Sequence, residues 1–293
     1  MNLKKYLARA YIKRECEPDC NTSSTTKGGP PSPSGEGTLS VCHFAKSFGF
    51  LSGNMIKILA AALMVCDHIG VVLGHEDSIL RILGRISMPL FAFMIAEGAK
   101  YTKNKAKYLG LIGGLALICQ LVYYFALNDT YMCILVTFTI SILLIFALDF
   151  VKWAYLSERG NLFSKIFAPM LFFALVLLTY FATTRLTIDY GFYGIMMPVF
   201  ASLTDIRGYK ISEKAQWIDS RPVRILTMCI PMLLRMLDGS QHPIVWYSFI
   251  AIPILLLYSG KRGKRKMKYF FYIFYPLHLV LIYGIFILVM LLK

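Results

Sequence analysis

The chain has 293 residues, of which 57% are hydrophobic and only 16% are charged, which is more apolar and less charged than ordinary soluble domains. This composition excludes a fold whose main solvent is water. Lys and Arg outnumber Asp and Glu by 31 to 16, but the basic residues fall between long apolar runs, so they indicate charges that orient a membrane protein and no nucleic-acid partner.

The first 53 residues differ in composition from the rest. Residues 1–20 are basic and weakly amphipathic, which predicts a basic segment beside the membrane rather than a signal peptide. Residues 21–53 begin with the run NTSSTTKGGPPSPSGEGTLS, which cannot bury enough apolar surface to fold and predicts a flexible tether. Cys16 and Cys20 lack a second ligand pair, so no metal site is predicted.

Residues 54–292 form the predicted transmembrane domain. About 20 helical residues cross a hydrocarbon core about 30 Å thick, and nine apolar segments approach that length. They centre on 55–74, 79–99, 107–127, 131–151, 164–183, 190–205, 223–238, 244–259 and 269–291. The sixth to eighth are short enough to be tilted or re-entrant. The predicted fold is an all-α, polytopic transmembrane helical bundle with about nine spans.

The loops between these segments alternate in charge. Clusters of Lys and Arg follow the second, fourth, sixth and eighth segments, whereas the opposite loops carry Asp and Glu, with little positive charge beyond Arg185 and Arg235 near span ends. Because basic loops stay in the cytoplasm, the N-terminus is predicted to be cytoplasmic and Lys293 to face outward. A missed or invented span would put a basic loop on the wrong side, so the alternation also supports the count.

The first segment contains three ionisable side chains where an unpaired charge is costly. Lys57 and His68 are eleven residues apart, so they share a helix face and lie about 16 Å apart along the axis. Lys57 is near the predicted cytoplasmic end, and His68 is in the outer half. Asp67 is turned about 100° from His68 and is therefore placed to reach a neighbouring helix.

The second segment brings Arg81 near the outer interface and Arg85 to about the depth of Asp67, whereas Glu97 lies near the inner end with Lys100. The Asp67 and Arg85 pair has two interpretations of similar weight, a structural ion pair between helices or part of a functional site. For His68 a chemical role is favoured, because an imidazole in lipid has little structural purpose.

Later segments add further candidates. Tyr275 and His278 flank Pro276, which breaks the ladder of helix hydrogen bonds and frees a carbonyl group. A hydrogen-bonding role within the bundle is at least as well supported for them as chemistry. Asp189 and Tyr190 lie at the outer mouth of the sixth segment, where Asp189 is either a helix N-cap or part of the opening to the polar cluster.

Several of these residues occur in motifs that follow one another in order. The motifs are Lys57 with Asp67-His68-Ile69-Gly70, the stretch from Gly84-Arg85 through Pro89 to Glu97-Gly98, the step Asp189-Tyr190-Gly191, and the closing Tyr275-Pro276-Leu277-His278. Together they resemble the TraX family of bacterial membrane proteins over about residues 54 to 292. The family's namesake acetylates the N-terminus of conjugative pilin. The family also resembles, more remotely, the acyltransferase-3 membrane enzymes, in which an Arg stands where Lys57 stands here.

The resemblance implies acyl transfer across a bacterial cytoplasmic membrane, from acetyl-CoA or another cytoplasmic acyl-CoA to a pilin-like protein or a cell-envelope acceptor. In that reaction His68 is the general base or a transient acyl carrier, Arg85 stabilises the oxyanion or anchors an acidic acceptor, and Asp67 holds Arg85. The candidate substrate-binding residues are Lys57, Arg81, Glu97, Asp189, Tyr190, Tyr275 and His278. Two alternatives remain open. One is a proton-coupled transporter, disfavoured by the lack of a convincing internal repeat, and the other is a non-catalytic pilus or envelope assembly factor.

Overall fold

The computed structural model describes residues 49–73, 78–127, 130–206, 209, 217–239, 242–264 and 267–291. The predicted basic segment 1–20 and the tether up to residue 48 lie outside the described residues. The packed part of the chain begins by Leu51 rather than at residue 54. The Leu51 N–H donates to the Leu257 carbonyl (3.0 Å), and its own carbonyl accepts from the Ser259 N–H (2.8 Å).

The helices, numbered in chain order, are α1 (Gly53–Val72), α2 (Ile79–Arg85), α3 (Ser87–Tyr101), α4 (Lys105–Leu127), α5 (Ile134–Leu156), α6 (Leu162–Arg185), α7 (Gly191–Leu203), α8 (Arg221–Leu237), a 3₁₀ helix (Pro243–Ile250) continuing into α9 (Ala251–Leu256), and α10 (Lys268–Leu291). Each predicted apolar segment coincides, within a few residues, with one helix or with the α2–α3 or 3₁₀–α9 pair. The predicted all-α membrane fold is confirmed.

Within the described part of the chain, five helices are long and apolar enough to cross a membrane by length and composition, counting α2 and α3 as one: α1, α2–α3, α4, α5 and α6. Three further apolar helical stretches, Gly191–Leu203, Pro243–Leu256 and Phe270–Ile282, are shorter. The count of nine crossings therefore stays a prediction.

The second predicted span is interrupted one residue after Arg85, where α2 ends and α3 begins. The cause is local. Pro89 has no N–H, so the Arg85 carbonyl would lack its helical partner four residues on. The Ile86 N–H turns instead toward the carbonyls of Leu83 and Gly84. The break makes Arg85 the last residue of α2.

The helices differ strongly in the fraction of their residues that is buried. Slightly more than half of the α2–α3 span is buried, whereas α6 is almost wholly exposed. The buried core joins α1, α3, α5, α7 and α8 through residues such as Ile56, Phe93, Ile142 and Met228. Large apolar side chains on the exposed faces, such as Phe173 and Leu178 of α6, are suited to lipid, because hydrocarbon is as apolar as they are.

Polar contacts group the helix ends into two layers. At the end that bears the predicted cytoplasmic loops, here called the inner end, Lys100 contacts Asp219 (2.6 Å) and Asp205 (3.1 Å), and Lys105 contacts Asp149 (2.6 Å). At the opposite, outer end, Met132 and Ile188 form an isolated bridge. The helix ends that meet are those that the alternating loop charges predicted to meet. Which layer faces the cytoplasm stays a prediction of the positive-inside rule.

A buried ion pair ties α3 to α8 just inside the inner end. Arg224 is 1% exposed and contacts the Glu97 carboxylate, whose other oxygen accepts from the Tyr258 hydroxyl at 3.0 Å. The Arg224 Nε–H donates to the Ala201 carbonyl at 2.9 Å, and the guanidinium stands 5.2 Å from the centre of the Phe93 ring. Glu97, which the sequence placed near the inner end, therefore pairs with Arg224.

Replacing Arg224 by Met should destabilise the bundle strongly, because it leaves the Glu97 carboxylate buried without a counter-charge. Removing one partner of a buried pair costs about 3–5 kcal/mol. The matched control is Lys105→Met, since the pair of Lys105 with Asp149 is exposed and such pairs contribute at most about 1 kcal/mol. Equilibrium unfolding in detergent measures both. Equal losses of unfolding free energy in the two variants would contradict a strong contribution of the buried pair of Arg224 with Glu97.

Candidate functional site

A cavity of about 340 Å³ opens between the helices at the outer end and is here called the outer cavity. Seven of the ten site residues predicted from the sequence line it: Asp67, His68, Arg81, Arg85, Asp189, Tyr190 and Tyr275. Four of the polar side chains come from α1 and α2 and the others from later in the chain. The bundle therefore concentrates these polar groups in one place.

Asp67 holds two arginines of α2. Its carboxylate accepts from Arg81 Nη1 at 2.8 Å and from Arg85 Nη2 at 2.7 and 2.9 Å. The pairing of Asp67 with Arg85 is the one that the sequence predicted, and Arg81 joins it. The close approach depends on Gly84, because a Cβ atom there would collide with the Asp67 carboxylate. The Arg85 Nε–H, which is buried, donates to no acceptor among the described residues.

His68 presents one ring nitrogen to the outer cavity. Its Nδ1 lies 2.7 Å from the Met64 carbonyl of the preceding turn. A carbonyl only accepts, so Nδ1 carries the proton and the lone pair of the neutral ring is on Nε2. The side chain is half-buried and lines the cavity. A neutral imidazole held in this tautomer can take a proton or attack an acyl group with Nε2.

His278 of α10 lies against His68 rather than among the residues that line the cavity. The two rings meet edge to face with centroids 5.0 Å apart. Nδ1 of His278 contacts the Phe274 carbonyl at 3.0 Å, and its buried Nε2 has no hydrogen-bond partner among the described residues. Its ring also stacks on Phe274. The structure therefore favours His278 as a packing and positioning partner of His68.

The segment before α7 has an unusual backbone that places Tyr190 at the cavity. Tyr190 has a φ of 61° and Gly191 a φ of 57°, so a bulky residue adopts the left-handed conformation, which is costly and concentrates at functional sites. Tyr190 is itself the residue that precedes the helix, so Asp189 is not the N-cap. Instead Asp189 accepts from the Tyr131 hydroxyl at 2.6 Å, and its backbone carbonyl accepts from Thr137 at 2.7 Å.

Burial raises the pKa of the Asp189 carboxyl above its ordinary value. The hydrogen bond from Tyr131 opposes this shift, as do the positive charges of Arg235 and Arg85 and the nearby His68. The loop thus brings a carboxyl group within electrostatic reach of the arginines and of the histidine. Its position, and not a role in capping, connects Asp189 to the site.

Arg235 is a cavity residue that sequence reasoning left out of the site. It comes from α8 and its guanidinium stands 4.6 Å from the centre of the Tyr190 ring, with Arg85 at 6.0 Å from the same ring. One signal was present, because Arg235 is a positive charge near an outer loop and breaks the charge alternation of the loops. Three arginines and two aspartates therefore surround the cavity.

Lys57 and Glu97 are placed elsewhere. Both line a second cavity, of about 590 Å³, at the inner end, here called the inner cavity. As predicted, Lys57 and His68 share one face of α1, because both side chains lie against α10. Lys57 Nζ is 5.9 Å from the centre of the Phe271 ring, and the His68 ring contacts His278 of the same helix. Lys57 and His68 do not, however, line one cavity, so the predicted catalytic residue His68 and the predicted substrate-binding residues Lys57 and Glu97 lie at two different cavities.

A family model described as TraX protein matches residues 52–286. The chain belongs to the TraX family. This confirms the family that the motifs suggested, and the matched range contains both cavities. The remoter similarity to acyltransferase-3 enzymes stays a prediction.

Two curated relatives of this TraX-family chain are informative. A probable fimbrial assembly protein FimC, serogroup H1, of Dichelobacter nodosus is 26% identical over 243 residues, covering 79% of this chain and 94% of that protein. The uncharacterized protein RP591 of Rickettsia prowazekii (strain Madrid E) is 41% identical over 56 residues, covering 19% of this chain and 22% of that protein. No solved structure matches the chain. A pilus-related membrane protein is the function class that these similarities support.

The contact between Gly84 and Asp67 can be tested with a pair of glycine substitutions in this TraX-family bundle. Gly84→Ala should push the Asp67 carboxylate away from Arg81 and Arg85 and lower stability by about 1–3 kcal/mol. Gly110→Ala in α4 is the control, because a Cβ atom there has nothing within 4 Å and Ala favours a helix by about 1 kcal/mol. Thermal unfolding in detergent compares them. An unchanged unfolding temperature in Gly84→Ala would show that the close contact between Gly84 and Asp67 is dispensable.

Proposed function

We propose that this TraX-family chain is a membrane-embedded acyltransferase of the bacterial cytoplasmic membrane. It moves an acetyl or other acyl group from cytoplasmic acyl-CoA to an extracytoplasmic or membrane-bound acceptor. The observation that carries the proposal is His68, whose basic nitrogen Nε2 forms no hydrogen bond with any described residue, at a cavity that three arginines also line. Family membership supports it, because the TraX family is linked to pilin acetylation.

In the proposed reaction Nε2 of His68 takes the proton of an acceptor amine or hydroxyl group as that group attacks the thioester carbonyl carbon. The tetrahedral intermediate collapses, the carbon–sulfur bond breaks, and the coenzyme A thiolate takes the proton from the imidazolium. The products are the acylated acceptor and free coenzyme A, so atoms and charge balance. A base of this kind contributes about 10²- to 10⁴-fold to the rate.

Arg85 is suited to the negative charge that develops on the thioester oxygen. Its Nη2 group is held by Asp67, and its Nε–H is still without an acceptor among the described residues. A preorganised donor in a site that excludes water stabilises such an oxyanion more than water does. Asp67 would then be a positioning residue, because it fixes Arg85 without touching the reacting atoms.

The proposed acceptor is a pilin-like protein. The TraX family is linked to pilin acetylation, and the Dichelobacter nodosus relative carries the name of a fimbrial assembly protein. The outer cavity suits such an acceptor, because it opens at the end of the bundle that the loop charges predict to face away from the cytoplasm.

His68→Ala should abolish acyl release in liposomes containing the purified protein and labelled acetyl-CoA, because His68 is the one imidazole among the described residues that line the outer cavity. Rate constants for release to water or to an added peptide amine measure the effect. His242→Ala is the control, since His242 is an exposed residue at the start of the 3₁₀ helix, outside the cavity lining. Turnover retained in His68→Ala would exclude this assignment.

A non-catalytic assembly factor is the second candidate, favoured by the name of the Dichelobacter nodosus relative, a probable fimbrial assembly protein. Complementation of a gene deletion separates the two. If the chain is an enzyme, His68→Ala should behave like the deletion in the mass of pilin and in piliation, while reaching the membrane at the wild-type level. If the chain is an assembly factor, His68→Ala should restore piliation in full and leave the pilin mass unchanged.

A further inference from the structure

The inner cavity is lined by more positive than negative charge. Four cations, Lys57, Lys103, Lys107 and Arg262, line it together with one carboxylate, Glu97. That carboxylate is already committed, because one oxygen meets Arg224 and the other meets Tyr258. The other charged residues of the lining are all positive, and the cavity lies on the side that the loop charges predict to be cytoplasmic. Its chemistry suits phosphate groups.

Lys57 stands at the deep end of this cavity. Its side chain is half-buried and forms no hydrogen bond or ion pair with any described residue. Its Nζ lies over the face of the Phe271 ring, 5.9 Å from the ring centre. A cation in such a position costs free energy unless an anion joins it. The cost is explained if Lys57 meets a negatively charged group of a ligand.

A third, apolar cavity of about 130 Å³ lies between the inner and the outer cavity. It shares five lining residues with the inner cavity: Lys57, Met94, Tyr108, Phe271 and Tyr272. It shares five others with the outer cavity: Met64, Phe91, Ile134, Phe138 and Tyr275. The three cavities therefore follow one another along α1, from Lys57 past Met64 to His68, over about 16 Å.

We propose that the inner cavity binds the phosphate-bearing end of acyl-CoA and that the apolar cavity holds its uncharged arm, so that the thioester reaches His68 from the inner side. The inference rests on the proposed function and adds the donor's binding site and its route. The nucleotide stays at the inner end, where cations match its phosphates. Only the uncharged arm enters the apolar layer, where a phosphate would be costly. The acceptor meets the thioester in the outer cavity, and no charged group crosses the bilayer.

Direct binding tests the phosphate site without any turnover. The full-length protein in phosphatidylcholine nanodiscs should bind coenzyme A, and Lys57→Met should weaken that binding at least about tenfold, the size of one lost charge-assisted hydrogen bond. Lys105→Met is the matched control, since Lys105 is a cation of the same end that pairs with Asp149 outside the cavity lining. Equal affinities of the two variants would overturn the assignment of Lys57.

An anionic lipid carries a similar headgroup and could fill the same cavities with its tail. Nanodiscs with and without phosphatidylglycerol distinguish a lipid phosphate from the phosphates of coenzyme A as the ligand of the inner cavity. Binding of coenzyme A that persists in the absence of phosphatidylglycerol supports the nucleotide site. If the protein retains phosphatidylglycerol through Lys57 and does not bind coenzyme A, the proposal of a nucleotide site is overturned.

Donors of different structure test the same site during turnover. With acetyl-CoA, Lys57→Met should lower kcat/KM about tenfold through KM. With S-acetyl-pantetheine, which lacks the nucleotide and its phosphates, the variant should match the wild type. A uniform loss with both donors would overturn the phosphate assignment. If the wild type binds coenzyme A through Lys57 but turns over neither donor, the proposed reaction is rejected and the binding site is kept.

The route is tested by narrowing the apolar cavity. Ile112→Phe in α4 adds volume to its lining and should stop acetyl transfer while leaving adenosine 3′,5′-bisphosphate bound, which also shows that the variant is folded. Leu115→Phe repeats the test one turn along the same face. The control is Leu117→Phe, whose position is 62% exposed on the lipid-facing side. Full transfer by both cavity variants would exclude this route.

Discussion

Hydrocarbon cannot solvate an ionised side chain, and this constraint governs where the polar residues of the bundle lie. Within the described residues the buried and half-buried charges gather in two layers. Asp67 with Arg81 and Arg85 forms the outer layer, and Glu97 with Arg224 forms part of the inner one. Each cluster joins helices that meet only in the folded bundle. These ion pairs therefore neutralise the buried charges and also determine which helix ends meet.

The layer between these clusters is apolar, and that separation is what a reaction across a membrane requires. The phosphates of a cytoplasmic donor and a polar acceptor from the other side cannot share one hydrated site without opening a leak. Two polar cavities joined through an apolar one solve this problem, because only an uncharged group needs to pass. In the proposed reaction His68 stands where the apolar layer ends, and Lys57 where it begins.

Small local departures from ideal helices position the site. Pro89 ends α2 just after Arg85, so the arginine lies at a helix terminus instead of in the middle of a continuous span. Gly84 lets Asp67 approach the backbone of α2. Tyr190 holds a left-handed conformation that brings its ring against Arg235. Each of these features has its clearest effect on a side chain of the outer cavity.

The sequence by itself determined the helical membrane fold, the family, and the ends of most helices, because apolar length and loop charge are properties of short stretches of chain. It also determined the pairing of Asp67 with Arg85, since two charges at one depth in neighbouring spans have few other partners. Only the tertiary structure decided that Arg235 joins the outer cavity, that Glu97 pairs with Arg224, and that Lys57 and His68 line different cavities. These outcomes depend on which faces of helices distant in sequence come together, and periodicity within one helix carries no information about its neighbours.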